Sequence, residues 1–358
     1  MATIVLAGGG TAGHIEPALA VARAWRAAHP SDVIIFIGTA EGLENTLVPM
    51  AGFTLAHIPK VSIARRPSLS WLRIGFDLAR AVRACRIILR DANLLIGFGG
   101  YVSAPAYLAA RIASVPILIH EANAKPGWAN RLGALTTTHL AVANPVNSGK
   151  FADALITGLP LRSDVAAAFT ASRSDFKTAR LAAKKRLGFD HSAPLLFVMG
   201  GSQGSIAINK EIAAALNALL SQGVSILHSL GRANPLPIAQ GAYHPVAYVD
   251  AMADAYLASD LIIARSGAVT CSEFRTLGRY ALFVPLPIGN GEQFYNAAAL
   301  VKERRAQIID QSEFNAQYLT SHIDALLAQS AEAAIDGSDG DVDAAAKILA
   351  LGEFAMSP

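Results

Sequence analysis

The chain contains little cysteine and little charge. Only two of its 358 residues are cysteines, Cys85 and Cys271, and they lie far apart in the sequence. This argues against a disulfide scaffold and against a zinc site, and it fits a reducing compartment. Charged residues make up 16% of the chain, and the net charge is +3. So small an excess gives no electrostatic basis for a nucleic-acid partner, and we expect none.

A long uninterrupted apolar run is also missing. The stretch 92–110 is free of charge, but Gly97, Gly99, Gly100 and Pro105 interrupt it. We therefore expect a strand, a turn and a helix there rather than a membrane span. At 358 residues the chain is too long for one ordinary core, so two domains are expected.

What the chain does contain is a glycine-rich loop near the start of each half. The first loop runs from Ala7 to His14 and the second from Met199 to Ser205, each between an apolar run and a stretch with helical character. A strand that turns through glycines into a helix start presents free backbone N–H groups and a positive dipole end, which suit phosphate. The two loops predict two similar halves that face one phosphorylated ligand across a cleft.

Apolar runs alternate with amphipathic stretches throughout, which predicts an α/β protein with two doubly wound, Rossmann-like domains. Glycine and proline near 157–160 mark the expected boundary. The predicted domains are 1–160 and 161–341, and a helix over about 342–358 is expected to pack back on the first domain. The expected strands are 4–6, 33–37, 94–98, 117–120, 140–142, 195–199, 225–230, 246–249, 261–264 and 281–284.

The first loop matches the dinucleotide pattern G-x-G-x-x-G through Gly8, Gly10 and Gly13, so an NAD-dependent dehydrogenase is one alternative. That function also requires an acidic residue at the end of the second strand, which here ends at Thr39. The loop instead ends in His14, at an expected helix start. The helix dipole would keep its imidazole neutral and able to accept a proton, so His14 is a candidate base or, alternatively, a capping residue.

Polar residues follow three other apolar strands. Glu121 is a second candidate base and Asn123 can bind a sugar hydroxyl, although Asn and the Pro-Gly pair that follows also favour turns. Glu273 stands at a helix start, where it can accept two ribose hydroxyls or simply cap the helix. Gln293 and Asn296 are spaced to share one helix face, and paired amides suit carbohydrate hydroxyls.

The stretch 61–90 carries seven arginines against one acidic residue, with apolar and aromatic residues between them. A basic amphipathic element of this kind is typical of a helix on an anionic membrane surface. The alternative is a solvated helix whose apolar side faces the core. The residues expected to face the membrane are Arg65, Arg66, Trp71, Leu72 and Phe76.

Taken in order, these segments resemble the MurG family of peptidoglycan glycosyltransferases. The resemblance implies a GT-B fold and an inverting transfer of N-acetylglucosamine from UDP-N-acetylglucosamine to the C4 hydroxyl of undecaprenyl-pyrophosphoryl-N-acetylmuramoyl-pentapeptide. It implies no cofactor and no metal. It also implies a peripheral position on the cytoplasmic face of the plasma membrane, with cell-envelope synthesis proteins as partners. The segments that carry the likeness are 9–17, 97–102, 120–123, 158–162, 200–204, 265–273 and 293–296.

The resemblance further implies roles for individual residues. The first domain would bind the acceptor and face the membrane, and the second would bind the UDP-sugar. Three positions depart from the family pattern, namely Ala12, Leu159 and Glu292, and they affect details of the donor loops rather than the reaction. The implied acceptor-side contacts are Thr11, Ala12, Gly13 and Asn123. The implied contacts with the diphosphate are Arg162, Ser202 and the backbone at Ala268 and Val269, and Thr270 beside them is also expected to bind substrate. The backbone at Val249 would bind uracil, Glu273 the ribose, and Gln293 and Asn296 the sugar.

Three alternatives remain at this stage beside the dehydrogenase. They are a different UDP-sugar glycolipid synthase of the same fold, a UDP-sugar epimerase, and a noncatalytic nucleotide-sugar-binding protein.

Overall fold

The computed structural model describes residues 1–61, 71–288 and 291–357, except for the side chains of 71–73. It divides into two compact units. Unit 1 comprises Met1–Arg162 and Gly340–Pro358, and unit 2 comprises Ser163–Asp339.

Each unit is built on one parallel sheet. The sheet of unit 1 contains β1 (Thr3–Gly8), β2 (Val33–Gly38), β3 (Thr54–His57), β4 (Leu94–Gly99), β5 (Ile117–Glu121), β6 (His139–Val142) and β7 (Leu155–Ile156), in the order β3-β2-β1-β4-β5-β6-β7. The sheet of unit 2 contains β8 (Leu195–Met199), β9 (Ser225–Ser229), β10 (Tyr243–Val246), β11 (Leu261–Ala264), β12 (Ala281–Phe283) and β13 (Ala306–Ile308), in the order β10-β9-β8-β11-β12-β13. The strand order reverses beside β1 and beside β8, so the glycine-rich loops that follow these strands lie at the switch points where such sheets bind ligands.

Helices connect the strands in both units. Those of unit 1 are α1 (Ala12–Ala28), α2 (Glu44–Met50), α3 (Trp71–Ile88), α4 (Ser103–Ala113) and α5 (Trp128–Gly133). Those of unit 2 are α6 (Ser163–Ser174), α7 (Phe176–Arg186), α8 (Ile206–Ser221), α9 (Met252–Ala258), α10 (Ala268–Thr276), α11 (Glu292–Lys302) and α12 (Ala316–Glu332). The last helix, α13 (Ala344–Met356), belongs to unit 1, where it packs on α1.

The contact between α13 and α1 fills one face of the first sheet. Ile348 is fully buried and Trp25 is 1% exposed, and both belong to the same apolar cluster. Gly352 permits the close approach, since a Cβ there would lie 2.8 Å from Cζ3 of Trp25. Full burial of one such aliphatic side chain stabilises the fold by about 1.5–3 kcal/mol. The C-terminal helix is therefore part of the core of unit 1.

Nine of the ten predicted strands are present, with ends that differ by up to two residues. The predicted strand at 246–249 is wrong, because the pairing with β9 instead uses Tyr243–Val246. That strand contains Pro245, which an edge strand tolerates. The stretch 92–110 forms β4, a turn and most of α4, as the sequence predicted. Within the described ranges, every helix is too short or too polar to cross a bilayer.

Candidate active site

The predicted residues of unit 1 lie at the carboxyl ends of β1 and β5. Thr11 is the N-cap of α1, with extended backbone, and His14 lies in the first turn. The Thr11 hydroxyl Oγ1 and His14 Nδ1 are 3.1 Å apart, so this hydrogen bond orients the ring. Ala12 and Gly13 lie between them at the start of the helix.

Two glycine-containing loops meet around this helix start. Gly100 has a φ of +81°, and a Cβ there would lie 2.4 Å from the carbonyl oxygen of Gly9. Gly10 has a φ of +89°, and a Cβ there would lie 2.7 Å from Cε1 of Tyr101. Both positions require glycine, because the backbone is left-handed and the neighbouring loop leaves no room for a side chain. The loops after β1 and β4 therefore form one packed surface beside His14.

The environment of His14 favours its neutral form. Burial lowers the pKa of this imidazole, whereas the charge of Glu121, a hydrogen bond to the Gly9 backbone and the charge of Glu44 act in the opposite direction. The net effect is a pKa below the ordinary value of about 6.5. His14 is thus able to accept a proton at neutral pH, with two carboxylates nearby to stabilise the imidazolium that forms.

Glu121 is buried, and hydrogen bonds from the loop that follows it and from α5 occupy both of its carboxylate oxygens. Oε1 accepts from the backbone N of Asn123 at 2.9 Å and from its Nδ2 at 3.0 Å. Oε2 accepts from the backbone N of Gly127 at 2.9 Å and from Nδ2 of Asn130 at 3.0 Å. Because a carboxylate offers about four acceptor positions, these bonds use all of them. Glu121 holds the loop between β5 and α5 in place and orients Asn123.

In unit 2 two helices begin side by side. β8 and β11 are neighbouring parallel strands, and α8 and α10 follow them. Ser205 caps α8, since its side chain accepts from the backbone N of Ile208. Gly267 is the N-cap of α10 and has no side chain to supply such a bond. The first N–H groups of α10, from Ala268 onward, therefore receive no bond from a side chain of the N-cap residue, and a helix start of this kind favours a phosphate. Ser202 lies in the loop before α8.

Arg265 ties together the loops around these helix starts. The residue is 8% exposed. Nη1 donates to the carbonyl oxygens of Val284 at 2.7 Å and Pro285 at 2.9 Å. Nη2 donates to Oγ of Ser205 at 2.8 Å and to Oε1 of Gln311 at 2.6 Å. One buried cation thus connects the cap of α8, the end of β12 and the segment after β13.

The remaining predicted residues of unit 2 lie on the same side of the sheet. Glu273 is buried, and its Oε2 accepts from the hydroxyl of Tyr256 at 2.8 Å. Gln293 accepts from the backbone N of Leu286 at 2.9 Å, and Asn296 donates to the carbonyl oxygen of Ser266 at 3.3 Å. Both amides of α11 are therefore directed at loops that follow β11 and β12. Val249 is buried in the loop between β10 and α9 and Thr270 lies in the first turn of α10, whereas Arg162 is the last residue of unit 1.

The predicted membrane-facing residues are only partly described. Arg65 and Arg66 lie outside the described residues, and Trp71 and Leu72 begin α3 with side chains that are not described. Phe76 is 67% exposed. Among the described residues, no group of three or more His, Cys, Asp or Glu side chains is placed to hold a metal ion.

Four buried residues of these sites were not found from the sequence. They are Glu44, Asn130, Tyr256 and Arg265, which hold other site residues through hydrogen bonds. Asn130 and Arg265 lie within or close to segments that the sequence singled out, but no role was predicted for them. Partners of Glu44 and Arg265 lie 34 and 60 positions away along the chain.

Comparison with known proteins defines the class. Residues 4–142 match the N-terminal domain of glycosyltransferase family 28, and residues 195–348 match its C-terminal domain. The crystal structure of Acinetobacter baumannii MurG superposes with a TM-score of 0.68 at 24% identity, covering 99% of this chain and 100% of that one. The molecule is therefore a glycosyltransferase of the GT-B fold, as predicted.

Two curated relatives narrow the class. A protein of Corynebacterium glutamicum is 45% identical over 326 residues, which are 90% of this chain and 88% of that protein. A protein of Paenarthrobacter aurescens is 44% identical over 333 residues, 91% of this chain and 87% of that protein. Both are named UDP-N-acetylglucosamine–N-acetylmuramyl-(pentapeptide) pyrophosphoryl-undecaprenol N-acetylglucosamine transferase. The chain belongs to glycosyltransferase family 28, and the predicted likeness to the MurG family is confirmed.

Proposed function

We propose that the protein transfers N-acetylglucosamine from UDP-N-acetylglucosamine to the C4 hydroxyl of undecaprenyl-pyrophosphoryl-N-acetylmuramoyl-pentapeptide, a step of peptidoglycan synthesis. The observation that carries the proposal is the 45% identity over 90% of the chain to a relative with this activity in its name. The site supports it with a neutral histidine in unit 1 and two adjacent helix starts in unit 2. In this proposal unit 1 binds the acceptor and unit 2 binds the donor.

The donor half stabilises a diphosphate leaving group without a metal. The N–H groups at the start of α10, with Ser202 and Arg162, hold the diphosphate, and the dipoles of α8 and α10 offset its growing charge. Glu273 accepts the ribose hydroxyls. Gln293 and Asn296 bind the sugar, and the backbone at Val249 binds the uracil.

The acceptor half supplies the base. The C4 oxygen of the muramoyl sugar forms a bond to the anomeric carbon, the bond from that carbon to UDP breaks, and UDP leaves with the electron pair. His14 takes the hydroxyl proton, and Asn123 and the start of α1 orient the sugars. We favour His14 over Glu121 as the base because the Glu121 carboxylate is saturated by four donors, three from the loop that follows it and one from α5.

An assay with radiolabelled UDP-N-acetylglucosamine and the lipid-linked muramoyl acceptor tests the proposal. We expect label to enter the lipid phase with release of one UDP per disaccharide, in the presence or absence of a chelator. Donor binding without transfer would indicate a noncatalytic sugar-nucleotide-binding protein. Isomerisation of the donor sugar in the absence of acceptor would indicate an epimerase, and either result would contradict the proposal.

We also propose that the protein is peripheral on the cytoplasmic face of the plasma membrane, bound through anionic lipid. The support is a stripe on α3 made of Phe76, Arg80, Arg83 and Ile87, which are all exposed and spaced to share one helix face. The Arg80 guanidinium lies 5.8 Å from the centre of the Phe76 ring. The stripe combines two cations with two large apolar side chains and contains no acidic residue. Docking of cell-envelope synthesis proteins is part of the same proposal.

The double substitution Arg80→Ala and Arg83→Ala is expected to weaken vesicle binding about 30-fold, since each arginine near an anionic surface contributes about 1 kcal/mol. Sedimentation with vesicles of phosphatidylglycerol and phosphatidylcholine measures it, and rising salt should weaken binding of the unsubstituted protein. Arg173→Ala, on the surface of unit 2, is the matched control and should bind normally. Equal binding to vesicles of phosphatidylcholine alone would refute this role.

A further inference from the structure

Glu44 is a buried charge to which the proposed function gives no role. It is the first residue of α2, and its side chain is fully buried. No described residue pairs an opposite charge with it, and its hydrogen-bond partners are neutral. A buried carboxylate is costly unless hydrogen bonds replace its water, so the fold must provide them here.

Glu44 connects three loops at the carboxyl edge of the first sheet. Oε2 accepts from the backbone N of Gly10 at 3.0 Å, in the loop after β1. Oε1 accepts from the backbone N of Thr39 at 3.0 Å, after β2, and from the hydroxyl of Tyr101 at 3.0 Å, after β4. Since β2, β1 and β4 are consecutive in the sheet, one carboxylate fixes three neighbouring loops.

Two neighbouring glycines leave space for the Glu44 side chain, and a larger residue at either position would clash with it. A Cβ at Gly42 would lie 2.0 Å from Oε2 of Glu44, and a Cβ at Gly38 would lie 2.5 Å from its Cγ. Gly10, which Glu44 holds, directly precedes Thr11, and Thr11 is bonded to the ring of His14. A short path of contacts therefore leads from Glu44 to the candidate base.

We propose that Glu44 is a positioning residue for the acceptor half of the reaction: it fixes the loop that orients His14, and its charge stabilises the proton that His14 accepts. The inference rests on the proposed function.

The charges around His14 predict the direction in which its pKa changes when Glu44 is replaced. Glu121 from β5 and Glu44 from α2 both raise the pKa of His14 against the effect of burial. Burial raises the pKa of the Tyr101 hydroxyl to about 12, so this group stays neutral at neutral and acid pH, where His14 titrates. Removing the Glu44 charge lowers the pKa of His14 further. Because the base acts when it is unprotonated, the acid limb of the kcat profile then moves to lower pH.

The variant Glu44→Gln tests the proposal. Gln keeps the shape but places an NH2 group against a donor, so at least one loop bond is lost. We expect kcat to fall by about 10- to 100-fold, the order of effect that misplacement of a reacting group produces. The acid limb should move to lower pH, and the KM for UDP-N-acetylglucosamine should change by less than about twofold. Tyr101→Phe, which removes one bond and keeps the charge, should lower kcat without moving the limb.

Controls separate this role from a merely structural one. Glu41 lies in the same loop between β2 and α2, but its side chain is 69% exposed and pairs with Lys60. Glu41→Gln should therefore leave kcat and its pH profile unchanged. Calorimetric unfolding and near-UV circular dichroism verify that unit 1 of each variant is folded, since UDP is proposed to bind unit 2. If Glu44→Gln does not fold, Glu44→Asp serves instead. Asp keeps the charge on a shorter side chain, so it should lower kcat without moving the acid limb of the pH profile.

An unchanged kcat, or a lower kcat with an unmoved acid limb in Glu44→Gln, would overturn the proposal for Glu44 alone. Absence of transferase activity in the unsubstituted protein would instead contradict the proposed function, so the two failures are distinguishable.

Discussion

Replacing His14 with alanine is expected to lower kcat by about 10²- to 10⁴-fold, the usual contribution of a general base. The affinity for UDP-N-acetylglucosamine should change by less than about twofold. The reason is that the ring takes the acceptor proton, which matters only as the new bond forms, whereas the predicted donor contacts are made mainly by unit 2. Initial rates with saturating acceptor, together with calorimetric titration of the donor, measure the two quantities separately.

The pH dependence of the unsubstituted enzyme follows from the same residue. Because burial lowers the pKa of His14, the ring is already neutral at pH 7. Turnover that depends on a neutral base is fully present above this pKa and is lost as the pH falls through it. We therefore expect kcat to be flat near neutrality and to fall only below about pH 6.5, the ordinary histidine pKa. In His14→Ala this acid limb should disappear.

His29 provides a matched control on the same helix. It lies at the C-terminal end of α1, where its Nε2 is 2.7 Å from Oε1 of Glu353 on the protein surface. His29→Ala should leave kcat and its pH profile unchanged. If His14→Ala weakened donor binding and kept normal turnover, His14 would have no part in the proton transfer.

The sequence predicts the centres of the two sheets well and their edges poorly. The central strands are apolar on both faces and read as continuous apolar runs, which bound them closely. The strands that were missed or misplaced are β3, β7, β10 and β13, and each is an edge strand. β3 is only half-buried, both residues of β7 are exposed, and β10 contains a proline. With only one neighbour to pair with, these strands need not carry the apolar pattern that identifies a buried one.

In the candidate site, too, some residues could be predicted from the sequence and others could not. Glycine-rich loops and polar residues at strand ends and at the helix starts that follow them carry a local signal, and it led to His14, Glu121 and Glu273. The charges that hold such residues carry none, because their partners are remote in the chain. Glu44 reaches Tyr101 across 57 positions, and Arg265 reaches Ser205 across 60. Only the folded chain brings these pairs together.

Arg265→Met is expected to lower both the stability of unit 2 and its affinity for UDP. Methionine fills much of the same space, but it leaves Ser205, Gln311 and two backbone carbonyls without their donor. Each buried acceptor left unpaired costs about 1–3 kcal/mol, so a loss of at least about 3 kcal/mol is expected. For a unit of this size, each kcal/mol corresponds to about 2–4 °C in Tm. Calorimetric unfolding measures this change.

The charge of Arg265 is tested by comparing two ligands. A buried cation beside two helix starts favours a diphosphate but is indifferent to an uncharged nucleoside. We therefore expect Arg265→Met to weaken UDP binding by about tenfold or more relative to uridine binding, and Arg265→Lys, which keeps the charge, to recover part of the UDP affinity. Arg173→Met, at a surface arginine of the same unit that is 67% exposed, should change neither Tm nor affinity. Equal losses for UDP and uridine in Arg265→Met would mean that Arg265 acts only by holding the loops, and its charge would then have no part in binding the leaving group.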